Sequence, residues 1–499
     1  MRLLAPHAPR RRRCSSPVLS PSLSLSLTLC SVLLLTPTAA LDLNVDDADS
    51  IKQAASTVAH GLVSYYHGNE TGQIPGLLPG PYYWWEAGAM FMTLVEYWYY
   101  TGDTSYNDIT TQALLFQTGP DADYMPANQT KSEGNDDQVF WAFACLSAAE
   151  LGFPNPPPSS PQWLALAQAV FNTQVTRWDS DTCGGGLRWQ IFTFNNGYDY
   201  KNTISNGGFF QLAARLARYT GNATYGEWAE KMWDWMVDSP LMMAANGPAK
   251  DGTADVPATY NIYDGTSTAG NCSEADHLQW TYNYGTLIAG SAYMYNFSNA
   301  TDQQAIWGAR LSALLSGADV FFPSDFGSNI MSEVSCEPGQ TCNNDQPSFK
   351  AYLSRWMAVA AQLAPSTAAA IAPRLRTSAQ GAAKQCSGGA NICGRRWYQD
   401  TYDGMTGVGE QMSALSVIGS QMLHLNSAGG GAWTPPKPPL TAYTGGNSTG
   451  NASAGTGDGS ATGLGLGRHT ITTGDKAAAW LLTLFVACGM VGIGVFMLK

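Results

Sequence analysis

Charge is scarce in this chain. Asp, Glu, Lys and Arg make up only 13% of its 499 residues, about half of what soluble domains usually carry. Basic residues are the scarcer kind, 26 against 38 acids, for a formal net charge of −12. Recognition of a polyanion needs an excess of Lys and Arg, and a balance this acidic argues against a nucleic-acid partner. Histidine is also rare: the six are scattered, with no paired ligand spacing, so neither a metal nor a cofactor is predicted. Alternating strand patterns are almost absent, which excludes a sandwich or a barrel of strands. Gly446-Asn447-Ser448-Thr449-Gly450 fits a serine-hydrolase elbow only literally, because it lacks the strand-turn-helix setting and overlaps a glycosylation sequon.

What is present points outside the cell. Arg10–Arg13, the apolar run Leu23–Leu35 and Thr38-Ala39-Ala40 read as a secretory signal over residues 1–40. Ala477–Leu498 is apolar, follows a polar spacer and small residues near Ser460, and leaves only Lys499 beyond it. That order predicts a GPI-attachment signal over 461–499, with Ser460 as the approximate attachment residue, in preference to a single membrane span. Residues 428–460, rich in Gly, Ser and Pro, read as a glycosylated tether. The expected location is the outer face of the plasma membrane or the cell wall, with membrane contact through the lipid anchor alone. Without both processed ends, 18 basic residues face 37 acids, a net of −19.

Ten cysteines become seven once Cys14, Cys30 and Cys488 leave with those ends. The spacings Cys336 to Cys342 and Cys386 to Cys393 suggest local disulfides and leave Cys183 with Cys272. Cys145 lies in an apolar helical run and reads as a small buried hydrophobe. Asn69, Asn128, Asn222, Asn271, Asn296, Asn299, Asn447 and Asn451 each open an Asn-x-Ser/Thr sequon, predicting glycosylation.

Between residues 41 and 427, apolar spacing, caps and Gly/Pro breaks predict twelve helices of two kinds. Six are amphipathic, near 47–66, 104–118, 161–178, 223–238, 301–322 and 367–384. The six alternating with them, near 86–100, 136–151, 204–219, 282–297, 347–363 and 406–425, are apolar all round and rich in small residues. Tyr100-Thr101-Gly102-Asp103 recurs as Tyr219-Thr220-Gly221-Asn222, so one kind of helix hands over to the other in the same way twice. This alternation predicts an all-α fold, a six-hairpin (α/α)6 toroid with a buried inner ring.

The inner helices would open on one face, and their starts collect aromatics, amides and acids. Rings stack on sugar faces, while amides and acids bind hydroxyls, so this end reads as a carbohydrate groove. Asp136 and Asp137 open one such helix. Two close carboxyls cannot both ionise freely, and a helix N-terminus favours one as the anion, which is the division of labour that glycosidic cleavage needs. The alternative for the pair is simple helix capping. Trp85, Glu86, Asn135, Gln138, Trp189, Asn206, Tyr282 and Tyr284 are the candidate substrate-binding set. Lys201, Arg188 and Lys350 are open to two readings, a phosphate on the glycan or ordinary ion pairs.

Tyr83-Trp84-Trp85-Glu86-Ala87-Gly88, Gly134-Asn135-Asp136-Asp137-Gln138, Ala165–Phe171, Cys183–Gln190 and Tyr200–Gly207 together resemble glycoside hydrolase family 76, in its fungal GPI-anchored endo-1,6-α-mannosidase group. The resemblance implies a retaining mechanism with Asp136 as nucleophile and Asp137 as general acid/base. It also implies α-1,6-mannan or the mannose of a GPI glycan as donor, and either water or cell-wall glucan as acceptor. A wall-binding protein that kept the groove and lost catalysis is the alternative function, and the intact acid pair argues against it.

Overall fold

The computed structural model of the chain describes residues 40–248, 256–425 and 439–456, together with Trp480 and Thr483. The predicted secretory segment up to residue 39, the predicted attachment residue Ser460 and nearly all of the apolar tail lie outside the described residues. So does the start of the tether.

Twelve helices alternate through the described residues: α1 Ala48–Val63, α2 Trp84–Thr101, α3 Asn107–Phe116, α4 Asn135–Leu151, α5 Trp163–Val175, α6 Thr203–Thr220, α7 Ala223–Asp238, α8 Thr281–Phe297, α9 Thr301–Gly317, α10 Phe349–Leu363, α11 Ala368–Gln385 and α12 Val408–Gly419. The even helices pack in the order α2-α4-α6-α8-α10-α12 and close back onto α2, and the odd helices pack against this ring, α7 on α6 and α9 on α8. This is the (α/α)6 toroid that the alternation predicts. The small residues of the inner ring permit the close approach: a Cβ on Gly88 would lie 2.9 Å from the Trp141 ring of α4. The repeated Tyr-Thr-Gly motif ends α2 and α6, where Gly102 (φ 77°) and Gly221 (φ 71°) take the left-handed conformation that stops a helix. The run 406–425 breaks after Gly419 into a short turn, Gln421–His424.

Two small antiparallel sheets depart from the expectation of almost no strands. β2 Met242–Pro248 pairs with β3 Pro257–Ile262, and β1 Tyr200–Asn202, β4 Gly265–Ser267 and β5 Ala275–Asp276 form the other. β1, β4 and β5 span three residues or fewer, too short to display a period of two, and β2, Met-Met-Ala-Ala-Asn-Gly-Pro, is long enough but does not alternate. They matter for position: Asn202 pairs with Gly265, and the N–H of Thr203 donates to the carbonyl of Asp264 at 2.8 Å, which sets Asp264 beside the start of α6. Disulfides join Cys183–Cys272, Cys336–Cys342 and Cys386–Cys393, as the spacing suggests, and Cys145 is buried and unpaired with another cysteine. All eight sequon asparagines are exposed.

Part of the expected tether is docked on the domain. The N–H groups of Leu440 and Ala442 donate to the carbonyls of Glu150 and Tyr219 at 2.7 and 3.1 Å, at the ends of α4 and α6. The Ser448 hydroxyl then accepts from the N–H of Leu164 at 2.9 Å and caps α5, and Asn172 donates to the carbonyls of Ala452 and Ala454. Orphan donors and acceptors at the helix ends give a polar segment something to bind, which composition alone does not reveal.

Candidate active site

The N-termini of α2, α4, α6, α8 and α10 converge on one cleft of about 570 Å³. Asp136 and Asp137 stand at the start of α4, with their environments made unequal by the local backbone. The Asp137 carboxylate reaches back to accept the Gly134 N–H at 2.6 Å, and no hydrogen bond within the described residues meets its other oxygen. Asp136 accepts two, from the N–H of Asp137 at 3.0 Å and from the Asn202 amide at 3.3 Å. Burial raises the Asp136 carboxyl to about 7, with these hydrogen bonds opposing the rise. Burial and then the Asp136 charge push Asp137 well above the carboxylate range. Of the two, Asp136 is the one that gives up its proton first, near neutrality, while Asp137 keeps its own.

The wall around the pair is acidic and aromatic. Asp264, which accepts the Tyr200 hydroxyl at 3.0 Å, and Asp345, which accepts the Trp85 indole N–H at 3.3 Å, both line the cleft. Burial raises each of them to about 6. Glu133 is buried at the same wall and raised to about 8, first by burial. Tyr282 stacks on Phe349 with centroids 3.8 Å apart.

Of the sequence-predicted set, Trp85, Trp189 and Tyr282 line the cleft beside the two aspartates. The other five do not, because each is consumed by the framework. Glu86 is fully buried and accepts the Tyr83 N–H at 2.8 Å. Asn135 and Gln138 both accept from the Arg177 guanidinium, at 2.8 and 2.7 Å, and donate to the carbonyls of Arg188 and Asp123. Asn206 exchanges hydrogen bonds with the backbone of Leu187, and the Tyr284 hydroxyl donates to Gln279 at 2.6 Å under β3. The three cations are ion-paired: Arg188 and Lys201 with Asp179 at 2.9 and 3.2 Å, Lys350 with Glu337 at 2.7 Å. Of their two readings, ordinary ion pairing is the one the structure holds. Sequence reasoning missed Asn202, Tyr200, Asp264 and Asp345. The first two sit inside the motif Tyr200–Gly207, whereas no local pattern marks the two loop acids.

A sequence profile of glycosyl hydrolase family 76 matches residues 50–430. The chain belongs to this family. It is 46% identical over 462 residues to the mannan endo-1,6-alpha-mannosidase DCW1 of Saccharomyces cerevisiae, covering 92% of this chain and 96% of that one. It is 41% identical over 463 residues to the mannan endo-1,6-alpha-mannosidase DFG5 of the same yeast, covering 92% and 95%. Among solved structures, Dfg5 from Chaetomium thermophilum in complex with glucosamine superposes with a TM-score of 0.72 at 43% identity, over 83% of this chain and 97% of that one. An α-1,6-mannanase from Salegentibacter, an inactive variant with two consecutive aspartates replaced by asparagine and bound to α-1,6-mannotriose, shares the family 76 fold at a TM-score of 0.57 and 17% identity, over 75% and 99%.

Proposed function

We propose that this family 76 chain is an endo-acting α-1,6-mannosidase that works with retention of configuration through Asp136 and Asp137. The observation that carries the reading is the inequality of the pair: one carboxyl with two donors, the other with one donor and the charge of its neighbour. Asp137 gives its proton to the leaving glycosidic oxygen as the Asp136 carboxylate attacks the anomeric carbon, forming a mannosyl ester. Asp137, now a base, takes a proton from the incoming hydroxyl, which displaces Asp136. Neighbouring side chains can meet the close spacing of roughly 5–5.5 Å that retention uses more readily than they can flank a water molecule. The names of the relatives and the inactivity of the Salegentibacter variant support the same assignment.

The incoming hydroxyl belongs either to water or to a sugar, and transfer to a cell-wall glucan acceptor is the favoured reading for an enzyme tethered where lipid-linked glycans lie. Trp85, Trp189 and Tyr282 serve as sugar-binding rings in this scheme. The predicted secretory signal and lipid signal, the three disulfides and the eight exposed sequons support action outside the cell. The test is mass spectrometry of products formed by residues 41–456, wild type and Asp136→Asn, from a fluorescent α-1,6-mannooligosaccharide with and without glucan oligosaccharide. Shorter mannosides mark hydrolysis and hybrid products mark transfer; either must vanish in the variant. Wild-type protein that binds the substrate and leaves it intact would favour the binding-protein reading.

A further inference from the structure

The loop between α5 and α6 presents Phe194 with 68% of its surface exposed, yet the residue lines the same cleft as the two aspartates. Its ring is backed by Phe192, with centroids 5.4 Å apart and planes 14° from parallel, so one face is supported while the other is open. The loop is held firmly. Asn195 donates to the Thr130 carbonyl at 3.1 Å and to Gln190 at 3.0 Å, and its N–H returns to the Phe192 carbonyl at 3.0 Å.

The same loop is stitched to the catalytic turn. The N–H of Asn135 donates to the Trp189 carbonyl at 2.9 Å and that of Ile191 to the Glu133 carbonyl at 3.3 Å, on either side of the Gly134–Gln190 bridge. The ring thus offers the cleft an exposed apolar surface on a fixed support. It fits the apolar face of a pyranose.

We propose that Phe194 is the stacking platform of an outer sugar subsite, which holds a residue of the glycan chain beyond the two that flank the bond under attack. This rests on the mannosidase reading and adds to it how chain length is sensed. Because the platform moves with the turn that carries Asp136 and Asp137, a sugar stacked on it is held in register with the acids.

The test measures kcat/KM for wild type, Phe194→Ala and Phe194→Trp on fluorescent α-1,6-mannooligosaccharides of increasing length, together with calorimetric binding of the same series to the Asp136→Asn protein with and without Phe194→Ala. Phe194→Ala should lower kcat/KM and affinity for long chains by roughly three- to tenfold, leave the shortest cleavable substrate at the wild-type value, and be rescued by Phe194→Trp. An unchanged length dependence in Phe194→Ala would overturn the platform and leave the mannosidase reading standing. Absence of cleavage by wild type with length-dependent binding lost in Phe194→Ala would overturn the mannosidase reading alone. Absence of binding throughout would overturn both.

Discussion

The backbone N–H of Gly134 donates to the Asp137 carboxylate at 2.6 Å, so the residue that starts α4 also fixes its candidate acid. A side chain is excluded there for the same reason. A Cβ on Gly134 would press into the Asp136 carboxylate and sit 3.0 Å from the Trp189 carbonyl and 3.2 Å from Asp137. Gly134→Ala should therefore lower kcat by about 100-fold, the cost of a misplacement near 1 Å, while circular dichroism and Tm stay close to wild type. Its backbone angle, φ −101°, is open to any residue, so an effect on folding alone would count against this account.

The pH profile should be bell-shaped, rising as Asp136 ionises and falling as Asp137 loses its proton. Asp345 raises both groups through its charge, and Asn202 lowers Asp136 through its hydrogen bond. Asp345→Asn keeps an acceptor for Trp85 and should move both limbs to lower pH. Asn202→Ala should move the rising limb to higher pH. Profiles of kcat/KM for the two variants check these opposite signs.

Glu86 supplies a stability prediction. Fully buried, with Glu410 and Asp345 as like charges, it is raised to about 9 in the fold, first by burial, against an ordinary value of 4.5. Between those values the folded chain holds a proton that the unfolded chain has released, so its contribution to stability falls as pH rises through that window. Glu86→Gln keeps an oxygen for the Tyr83 N–H and removes the titration. Its Tm should decline less than that of wild type between pH 6 and 9, read by differential scanning calorimetry.

Residues 439–456 should behave as part of the domain. Stopping the chain before residue 439 strips Leu164 of its Ser448 cap and exposes the carbonyls of Glu150 and Tyr219. A fall in Tm of roughly 3–10 °C is expected relative to a chain ending at residue 456. Equal melting of the two would show the docked contacts to be energetically idle.

The helices were legible because each carries its own signal: Asn222 caps α7, Gly102 ends α2, and the apolar period runs between such marks. The acid pair was legible because adjacent Asp residues are costly in a chain so poor in charge. The rest of the cleft follows from closure of the ring, which brings Asp264 and Asp345 to Asp136 from distant loops. Register decided the remainder. Tyr282 enters the cleft while Tyr284, two residues on, turns beneath β3, and Asn202 at the cap reaches Asp136 while Asn206, one turn later, is spent on Leu187. Such choices depend on a shift of one or two residues, below what periodicity resolves.

Whether Asp136 attacks while Asp137 protonates is decided by the first anomer that the enzyme releases. Proton NMR should follow wild-type residues 41–456 cleaving an α-1,6-mannooligosaccharide, read before mutarotation. The new reducing end should appear as the α-anomer, with none formed by Asp136→Asn. A β-anomer appearing first would mean direct attack by water and would contradict the roles assigned to both aspartates.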